Sequence, residues 1–348
     1  MAKNLRTSLK ESIKASSKAG LIGSNVFGSS PLDLRFAQLK TLDPRITFTR
    51  ASSGTYVGAD GLVKTATTNE ARFDHNPTTG ESLGLLVEEA RTNLLLNSAT
   101  LSTQSVTVAA AANTLSFYGT GTVTLTGVST AGPLVGTGAN NRVSLTFTPT
   151  AGVLVLTVSG SVTNAQLEAG AFATSYISTT TTTVTRAADV ASITGANFSS
   201  WYNQMQGTVY MDSNSVSVTP AGRLVSFSDN TSSNRIILNR SAASGGNINL
   251  VVTNSGTVQV NALLLGTALA GGTSNKVAAV YKATDFAGSV NGLTAVTQGT
   301  GTVPSAVTQL SIGNGDILGA NTMTGTIKRL TYWPVRLANP TLQSITTP

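Results

Sequence analysis

The residues that could carry out acid–base chemistry are few in this sequence. Its only histidine, His75, follows Asp74 in the segment ARFDH, where it could act as the base of a nucleophilic site. A lone histidine beside an aspartate in a predicted strand is far more often structural. Glu88 and Glu89 are adjacent, so on a strand they point to opposite faces and cannot flank one glycosidic bond. We therefore predict no catalytic residue and no enzymatic activity.

Oxygen ligands for a metal ion are also sparse. Ca²⁺ binds about six to eight oxygen atoms, and Asp229, Asn230, Asn254 and Asp316 could supply some of them from loops. The alternative is that these loop residues simply form turns. The chain has no cysteine, which excludes disulfides and thiolate metal sites. We predict no metal and no cofactor. The acidic residues of the last part of the chain show no spacing that places them together: Asp212, Asp229, Asp285 and Asp316.

The residues best suited to hold a sugar are aromatic. Trp201 and Tyr202 lie in the segment FSSWYNQMQG, and an exposed aromatic ring commonly stacks on the face of a sugar. The alternative is that one of the two rings fills the core of a β-sandwich. Trp333 lies in the strand pattern LTYW and is predicted to be a core residue. Trp201 and Tyr202 are therefore the candidate carbohydrate-binding residues.

Two β-hairpins are predicted between Phe48 and Ser98. The first pairs residues 53–57 with residues 62–66 across the turn GADG, and the second pairs residues 71–75 with residues 82–88 across NPTTG. Apolar and β-branched runs separated by Gly, Asn, Asp and Pro are typical of such hairpins. The preceding segment LDLRFAQLK fits either a strand or a short helix.

The ends of this region carry a specific sequence pattern. It opens with TRASS at Thr49–Ser53 and closes with EARTNLL at Glu89–Leu95, with DGL and RFDH between them in that order. The region resembles a module common in phage and prophage virion proteins. Arg186-Ala187-Ala188-Asp189 also matches that family at a later boundary. The resemblance implies a fibre or spike of a virion.

Residues 99–188 are predicted to form a separate, charge-poor β-sandwich. Between Thr92 and Thr185 only Arg142 and Glu168 are charged, and strand patterns such as TVTLTGV alternate Val or Leu with Thr. The segment NAQLEAGAFATSYIS resembles the last strand and exit of a carbohydrate-binding-like sandwich of the same phage proteins. The tryptophan-bearing opening of that domain is missing here.

Residues 189–348 contain about nine further strand patterns, which fit a jelly roll or concanavalin-type sandwich. The order of features resembles the laminin-G/concanavalin-like lectin fold. The pair Asn291-Gly292 is the strongest hairpin signal of the chain. Near the end, Asn339 is a good N-cap and Pro340 suits the first position of a short helix.

The first 30 residues are predicted to be a basic anchoring arm and linker. Leu5, Leu9 and Ile13 recur every fourth residue, which fits a short helix that docks on another virion protein. The alternative is a disordered basic tail. No signal peptide and no membrane-spanning segment are visible, so we expect synthesis in a host cytoplasm and release by lysis on a particle.

Charge excludes other function classes. Charged residues make up 11% of the chain, where about 25% is ordinary. The net charge of +7 is concentrated in the first twenty residues. The rest of the chain has no basic stripe with interleaved aromatics, so we do not predict nucleic-acid binding. Edge strands rich in Thr and Val with few charges lack the usual protection against edge pairing, which predicts burial in a homo-oligomer, a trimer.

Together these patterns predict a mostly β protein of antiparallel sandwich or jelly-roll domains after a short N-terminal helical arm. Four parts are expected: the arm and linker (1–30), the hairpin module (31–98), the charge-poor sandwich (99–188) and the lectin-like sandwich (189–348). The predicted function is that of a non-enzymatic phage fibre or spike that adheres to host-surface glycans. The alternative is a purely structural head fibre, capsid decoration or tail adaptor without a specific ligand.

Overall fold

The computed structural model shows a mostly β protein of antiparallel sheets, which confirms the predicted fold class. The structure describes residues 30–216, 222–241, 246–266, 271–315 and 317–348. The predicted N-terminal arm, with Leu5, Leu9 and Ile13, lies outside the described residues. No helix among the described residues is long and apolar enough to cross a membrane.

The described residues form 26 strands and three short helices. The strands are, in chain order, β1 (Leu32–Leu34), β2 (Thr47–Thr49), β3 (Gly54–Val57), β4 (Val63–Ala66), β5 (Arg72–His75), β6 (Ser82–Val87), β7 (Arg91–Asn93), β8 (Gln104–Val108), β9 (Asn113–Gly119), β10 (Thr122–Gly127), β11 (Leu134–Val135), β12 (Gly138–Phe147), β13 (Gly152–Ser159), β14 (Val162–Ala169), β15 (Val184–Arg186), β16 (Val190–Thr194), β17 (Gln206–Ser215), β18 (Gly222–Ser228), β19 (Arg235–Ser241), β20 (Asn247–Asn254), β21 (Thr257–Leu264), β22 (Ser274–Lys282), β23 (Phe286–Val290), β24 (Val296–Gln298), β25 (Gln309–Ile312) and β26 (Gly325–Trp333). The helices are α1 (Phe36–Leu39), α2 (Ala196–Ser199) and α3 (Asn339–Thr346).

Two of the sheets face each other and form what we call the large sandwich. One sheet has the order β24-β23-β22-β17-β26-β6-β5, with β1 also paired to β26, and the other has the order β2-β16-β25-β18-β19-β20-β21. Their inner faces share one core, in which Leu85 of β6 and Ile327 of β26 meet Phe227 of β18 and Leu310 of β25. Alternating apolar residues on each strand supply these inner faces.

The strand pairing differs from the predicted separation of residues 31–98 and 189–348. Strands β1, β2, β5 and β6 from the first segment complete both sheets of the second, with Leu85 directly paired to Ile327. The physical reason is burial, because a few hairpin strands cannot enclose a core of their own. The hairpins themselves form as predicted, with Gly54 opposite Ala66 and Arg72 opposite Leu86.

A second, smaller sandwich interrupts the large one, and we call it the inserted sandwich. Its sheets have the orders β11-β10-β13-β8 and β12-β9-β14, and Leu115, Phe117 and Leu156 lie in its separate core. The chain enters it after β7 and leaves it before β15. These two strands pair antiparallel, from Arg91 opposite Arg186 to Asn93 opposite Val184, and form a narrow neck.

The turn and the helix that the sequence predicts near the C-terminus both form, and the start of the helix is shifted by one residue. Asn291 and Gly292 both have positive φ angles, 49° and 77°, in the turn between β23 and β24. Helix α3 covers the outer face of the first sheet, where Leu342 packs with Trp333. The helix begins at Asn339, so the N-cap position falls on Ala338 rather than on Asn339 as predicted. The segment LDLRFAQLK forms both alternatives in turn, β1 followed by α1.

Candidate functional site

Five charged side chains meet in the interior, and we call them the buried charge cluster: Arg50, Arg72, Glu88, Arg186 and Asp189. Each side chain is at most 3% exposed. Arg72 Nη2 lies 2.5 Å from Asp189 Oδ2, and Arg72 Nη1 lies 2.8 Å from Glu88 Oε2. Arg50 Nη1 binds Asp189 Oδ1 at 3.0 Å, and Arg186 Nε lies 3.5 Å from Glu88 Oε2. The cluster is a continuous ionic network.

The residues of the buried charge cluster lie in or next to the sequence patterns TRASS, RFDH, EARTN and RAAD. Arg50 comes from TRASS after β2, Glu88 directly precedes EARTN after β6, and Asp189 precedes β16. The network therefore connects β5 and β6 of one sheet of the large sandwich to β2 and β16 of the other. Charged residues so far apart in sequence are recognisable as a set only once the sheets have brought them together.

Glu88 is held in its ionised form at neutral pH by this network. Burial alone would raise its pKa, but the charges of Arg186 and Arg72 and hydrogen bonds from Ser175 lower the pKa to about 2. Ser175 N donates to Glu88 Oε1 and Ser175 Oγ donates to Oε2, each at 2.6 Å. Both carboxylate oxygens are thus occupied by protein groups. Glu88 stabilises the fold and has no oxygen free to act as a nucleophile or base.

A cavity of about 220 Å³ lies beside the cluster, where the hairpins, the inserted sandwich and the large sandwich meet. We call it the junction pocket and define it by six of its lining residues: Tyr56, Asp74, Tyr118, Arg142, Asn214 and Thr324. Two of these residues come from the hairpin region, two from the inserted sandwich, and two from β17 and the residue before β26. The pocket therefore exists only in the assembled fold.

Asp74 supplies the acidic group of the junction pocket. It lies on β5, and its Oδ1 accepts a hydrogen bond from Val57 N at 2.6 Å. Among the described residues no cation lies within salt-bridge distance of it. Burial raises its pKa, the bond from Val57 and the charge of Arg72 lower it, and the negative charge of Glu88 raises it further, to about 6. A strongly shifted group in a cleft is a functional candidate.

Arg142 supplies the basic group. It lies where the register of β12 shifts between Gly138 and Val143, and such irregularities re-aim side chains. Its Nη1 donates to Thr174 O at 2.5 Å and its Nη2 donates to Ser116 Oγ at 2.8 Å. It forms no salt bridge within the described part of the chain, and its buried Nε has no hydrogen-bond partner there.

Neutral polar atoms complete the pocket. Asn214 Oδ1 and Thr324 Oγ1 are buried and have no hydrogen-bond partner among the described residues, and Thr324 is only 2% exposed. An unsatisfied buried polar atom costs about 1–3 kcal/mol. Burial raises the pKa of Tyr118, the charge of Arg142 lowers it and the charge of Asp74 raises it. The Arg142 Cζ atom is 6.0 Å from the centre of the Tyr118 ring.

The predicted sugar platform is not exposed in the structure. Trp201 is 6% exposed, and its Nε1 donates to Asn197 O at 2.5 Å. Tyr202 stacks on Phe198 and Phe227, with ring centres 4.5 and 5.6 Å apart. Both rings fill one end of the large sandwich, as the core alternative had it, so neither offers a face on which a sugar could stack.

The other candidate residues have structural surroundings. His75 is 6% exposed, and its Nδ1 lies 3.1 Å from Val57 O. Asp229 Oδ1 accepts a hydrogen bond from Thr231 N at 2.9 Å, as in an ordinary turn. Asn230 Oδ1 accepts one from Leu318 N at 3.1 Å, which joins two loops distant in sequence. Asp316 lies outside the described residues, and the described part of the chain contains no group of three or more potential ligands placed for a metal ion.

Sequence reasoning noticed two of the relevant charges but gave neither a binding role. Asp74 was weighed only as the neighbour of His75. Arg142 and Glu168 stood out as the only charges of the inserted sandwich. Glu168 is buried and accepts hydrogen bonds from Thr174 N and Oγ1, each at 2.8 Å, so Arg142 alone was the usable signal. Asn214 and Thr324 carried no signal, because their environment arises only in the folded chain.

Comparison with known proteins gives a fold likeness of limited extent. No protein-family model and no curated protein sequence matches the chain. Among solved structures, the chain is similar to the CBM40 module of Ruminococcus gnavus IT-sialidase bound to α2,3-sialyllactose, with 18% identity, a TM-score of 0.38, and coverage of 44% of this chain and 88% of that one.

Two further structures have comparable scores. The Streptococcus pneumoniae sialidase NanB is 14% identical, with a TM-score of 0.37 and coverage of 44% of this chain and 26% of that one. A pentraxin of Limulus polyphemus is 19% identical, with a TM-score of 0.33 and coverage of 41% of this chain and 70% of that one. Each likeness spans less than half of the present chain.

Proposed function

We propose that the chain is a non-enzymatic adhesion protein of a bacteriophage fibre or spike, which holds a host-surface glycan in the junction pocket. The observation that carries the proposal is the pair Asp74 and Arg142, two charges of opposite sign that line one cavity without ionic partners. Both residues are half-buried, and an unpaired charge that is partly withdrawn from water costs stability. Such a cost is expected where the groups serve a ligand.

The size and chemistry of the pocket suit a sugar. Sites for drug-sized ligands measure about 300–1,000 Å³, so a cavity of about 220 Å³ fits a single terminal sugar residue. Sugar hydroxyls both donate and accept hydrogen bonds, and the pocket offers the carboxylate of Asp74 as an acceptor and the guanidinium of Arg142 as a donor. The ring of Tyr118 adds an apolar surface.

The two carboxylates that line the junction pocket support binding of a glycan rather than its hydrolysis. A glycosidase of the common type needs two of them flanking the bond. The junction pocket has Asp74, but the second lining carboxylate, Glu88, has both oxygens occupied by Ser175 and Arg72. One usable carboxylate supports recognition and not the two-carboxylate mechanism.

The virion assignment is supported by the module that runs from TRASS to EARTN. We further propose that residues 1–30 anchor the chain to other virion proteins, that the assembled form is a homotrimer, and that the protein reaches the cell exterior on released particles. The alternative is a purely structural head fibre, capsid decoration or tail adaptor, for which the junction pocket would have no ligand.

The test uses the full-length protein, fluorescently labelled and applied to a panel of bacterial strains. We expect saturable binding to at least one strain, loss of binding after mild periodate oxidation of the cell-surface glycans, and survival of binding after protease treatment of the cells. The unlabelled protein should also block adsorption of the phage that carries it. A well-folded protein that binds no strain would favour the structural alternative.

A further inference from the structure

We infer that the junction pocket recognises two neighbouring hydroxyls of a neutral sugar, with Asp74 as their acceptor and Arg142 as their donor. This inference rests on the proposed function and names its ligand class. The charges that line the pocket determine the ligand class, because a bound ligand that displaces water must give both Asp74 and Arg142 a partner.

The charge inventory of the pocket is balanced. Glu88 and Arg72 lie next to Asp74 but are paired with each other at 2.8 Å within the buried charge cluster. Asp74 and Arg142 remain as one negative and one positive group. Both act on Tyr118, since Arg142 lowers the pKa of its hydroxyl and Asp74 raises it. Asp74, Arg142 and Tyr118 line the same cavity, and the combined formal charge of Asp74 and Arg142 is zero.

A charged sugar satisfies only half of this arrangement. A sugar carboxylate would pair with Arg142 but would bring a third negative charge beside Asp74 and Glu88. It would also lack part of the guanidinium fork on which bidentate carboxylate binding depends, because Nη1 and Nη2 of Arg142 already donate to Thr174 O and Ser116 Oγ. An amino sugar would pair with Asp74 but would face Arg142 with like charge.

A neutral diol satisfies both groups. One hydroxyl donates a hydrogen bond to the Asp74 carboxylate, and its neighbour accepts one from the Arg142 guanidinium. Hydrogen bonds to a charged group contribute about 1.5–3 kcal/mol each. Asn214 Oδ1 and Thr324 Oγ1, which have no hydrogen-bond partner in the described part of the chain, belong to other lining residues of the pocket and suit further hydroxyls.

The experiment is calorimetric titration of the full-length protein with simple methyl glycosides. The neutral probes are the methyl glycosides of galactose, glucose, mannose and rhamnose, together with a deoxy analogue of the best binder that lacks one hydroxyl of the diol. The charged probes are the methyl glycosides of N-acetylneuraminic acid, glucuronic acid and glucosamine. Asp74→Asn and Arg142→Gln are the variants, and Asp212→Asn, outside the pocket, is the matched control.

We expect at least one neutral glycoside to bind at least tenfold more tightly than every charged one. The deoxy analogue and both pocket variants should each lose at least tenfold in affinity, whereas Asp212→Asn should bind like the parent. Thermal unfolding distinguishes lost binding from lost folding, since Asp74→Asn removes an unpaired carboxylate and should not lower the melting temperature at neutral pH. Tighter binding of a charged glycoside overturns the inference.

The inference and the proposed function fail separately. Host-cell adhesion that survives both Asp74→Asn and Arg142→Gln would leave the adhesion proposal standing and overturn the assignment of the ligand to this pocket. The opposite result is a neutral glycoside that binds in the pocket of a protein that adheres to no strain. That result would support the inference and contradict the role in host attachment.

Discussion

Replacement of Arg72 by methionine tests whether the buried charge cluster holds the large sandwich together. The Arg72 guanidinium is fully buried and contacts Asp189 at 2.5 Å, Glu88 at 2.8 Å, Thr55 O at 2.7 Å and Ser175 Oγ at 2.7 Å. Methionine keeps much of the volume and removes every one of these bonds.

The magnitude follows from what the change leaves behind. Asp189 keeps Arg50 as an ionic partner at 3.0 Å. Glu88 keeps its hydrogen bonds from Ser175, but its remaining ionic partner is Arg186 at 3.5 Å. Removing one partner of a buried ion pair costs about 3–5 kcal/mol, and each kcal/mol lowers the melting temperature of a unit of 150–250 residues by about 2–4 °C. The formal charge of the cluster falls from +1 to 0, which offsets little, because the lost contacts are short and direct. We expect Tm to fall by roughly 10 °C.

The loss should depend on pH in a defined direction. The folded-state pKa of Glu88, about 2, lies below its ordinary value of 4.5. The stability that this ionised group contributes is therefore fully present above about pH 4.5 and disappears as the pH falls toward 2. Arg72→Met weakens this contribution, so the difference in unfolding free energy between the parent and the variant should narrow between pH 7 and pH 3.

The assay is urea unfolding at both pH values, followed by the fluorescence of Trp201 and Trp333, which both lie buried in the large sandwich. The control variant is Arg45→Met, which breaks a partly exposed pair with Asp43 at 2.7 Å and should cost at most about 1 kcal/mol. Equal losses for the two variants, or a loss for Arg72→Met that does not change with pH, would refute the reasoning.

Three further predictions concern other parts of the molecule. Asp74→Asn should stabilise the protein above pH 6 by on the order of 2–3 kcal/mol. The folded-state pKa of Asp74, about 6, exceeds the ordinary 3.8, so the parent protein loses stability as the pH rises from 3.8 to 6 and the variant does not. The melting temperatures of the parent and the variant should therefore agree at pH 4 and differ at pH 8. Gly84→Ala should lower the melting temperature, because Gly84 has a φ of 92° and its added Cβ would overlap Ile327 O; an unchanged value would show that β6 and β26 separate readily. Deletion of residues 1–30 should leave a folded protein that is absent from particles, as measured by immunoblotting of purified virions, and normal incorporation would contradict the anchoring role.

The sequence predicts those parts of the fold that depend on local chemistry. The hairpins β3–β4 and β5–β6 follow from apolar runs on either side of short turns, and the turn at Asn291-Gly292 follows from residues that adopt positive φ angles. The alternation of Leu and Thr likewise predicts the inserted sandwich, because it fixes one apolar and one polar face on each strand.

The merging of the first and last segments depends on contacts that no local pattern encodes. Leu85 pairs with Ile327 across most of the chain, and an apolar alternating strand fits any sheet edge. The candidate site shows the same limit. Trp201 and Tyr202 have the residue types of a sugar platform, yet Trp201 is buried at the end of the large sandwich and Tyr202 is half-buried against the same core. Asp74, Arg142 and Thr324 lie far apart in sequence and become a site only through assembly.

The neck between β7 and β15 bears on how such a protein can evolve. The chain enters and leaves the inserted sandwich through neighbouring paired strands, so recombination at these points can exchange the insert as a cassette without shifting the register of the large sandwich. Tyr118 and Arg142 travel with the cassette, whereas Asp74 and Thr324 remain behind. Each exchange would keep one half of the junction pocket and renew the other, so a lineage could change the lining of the pocket while keeping its framework.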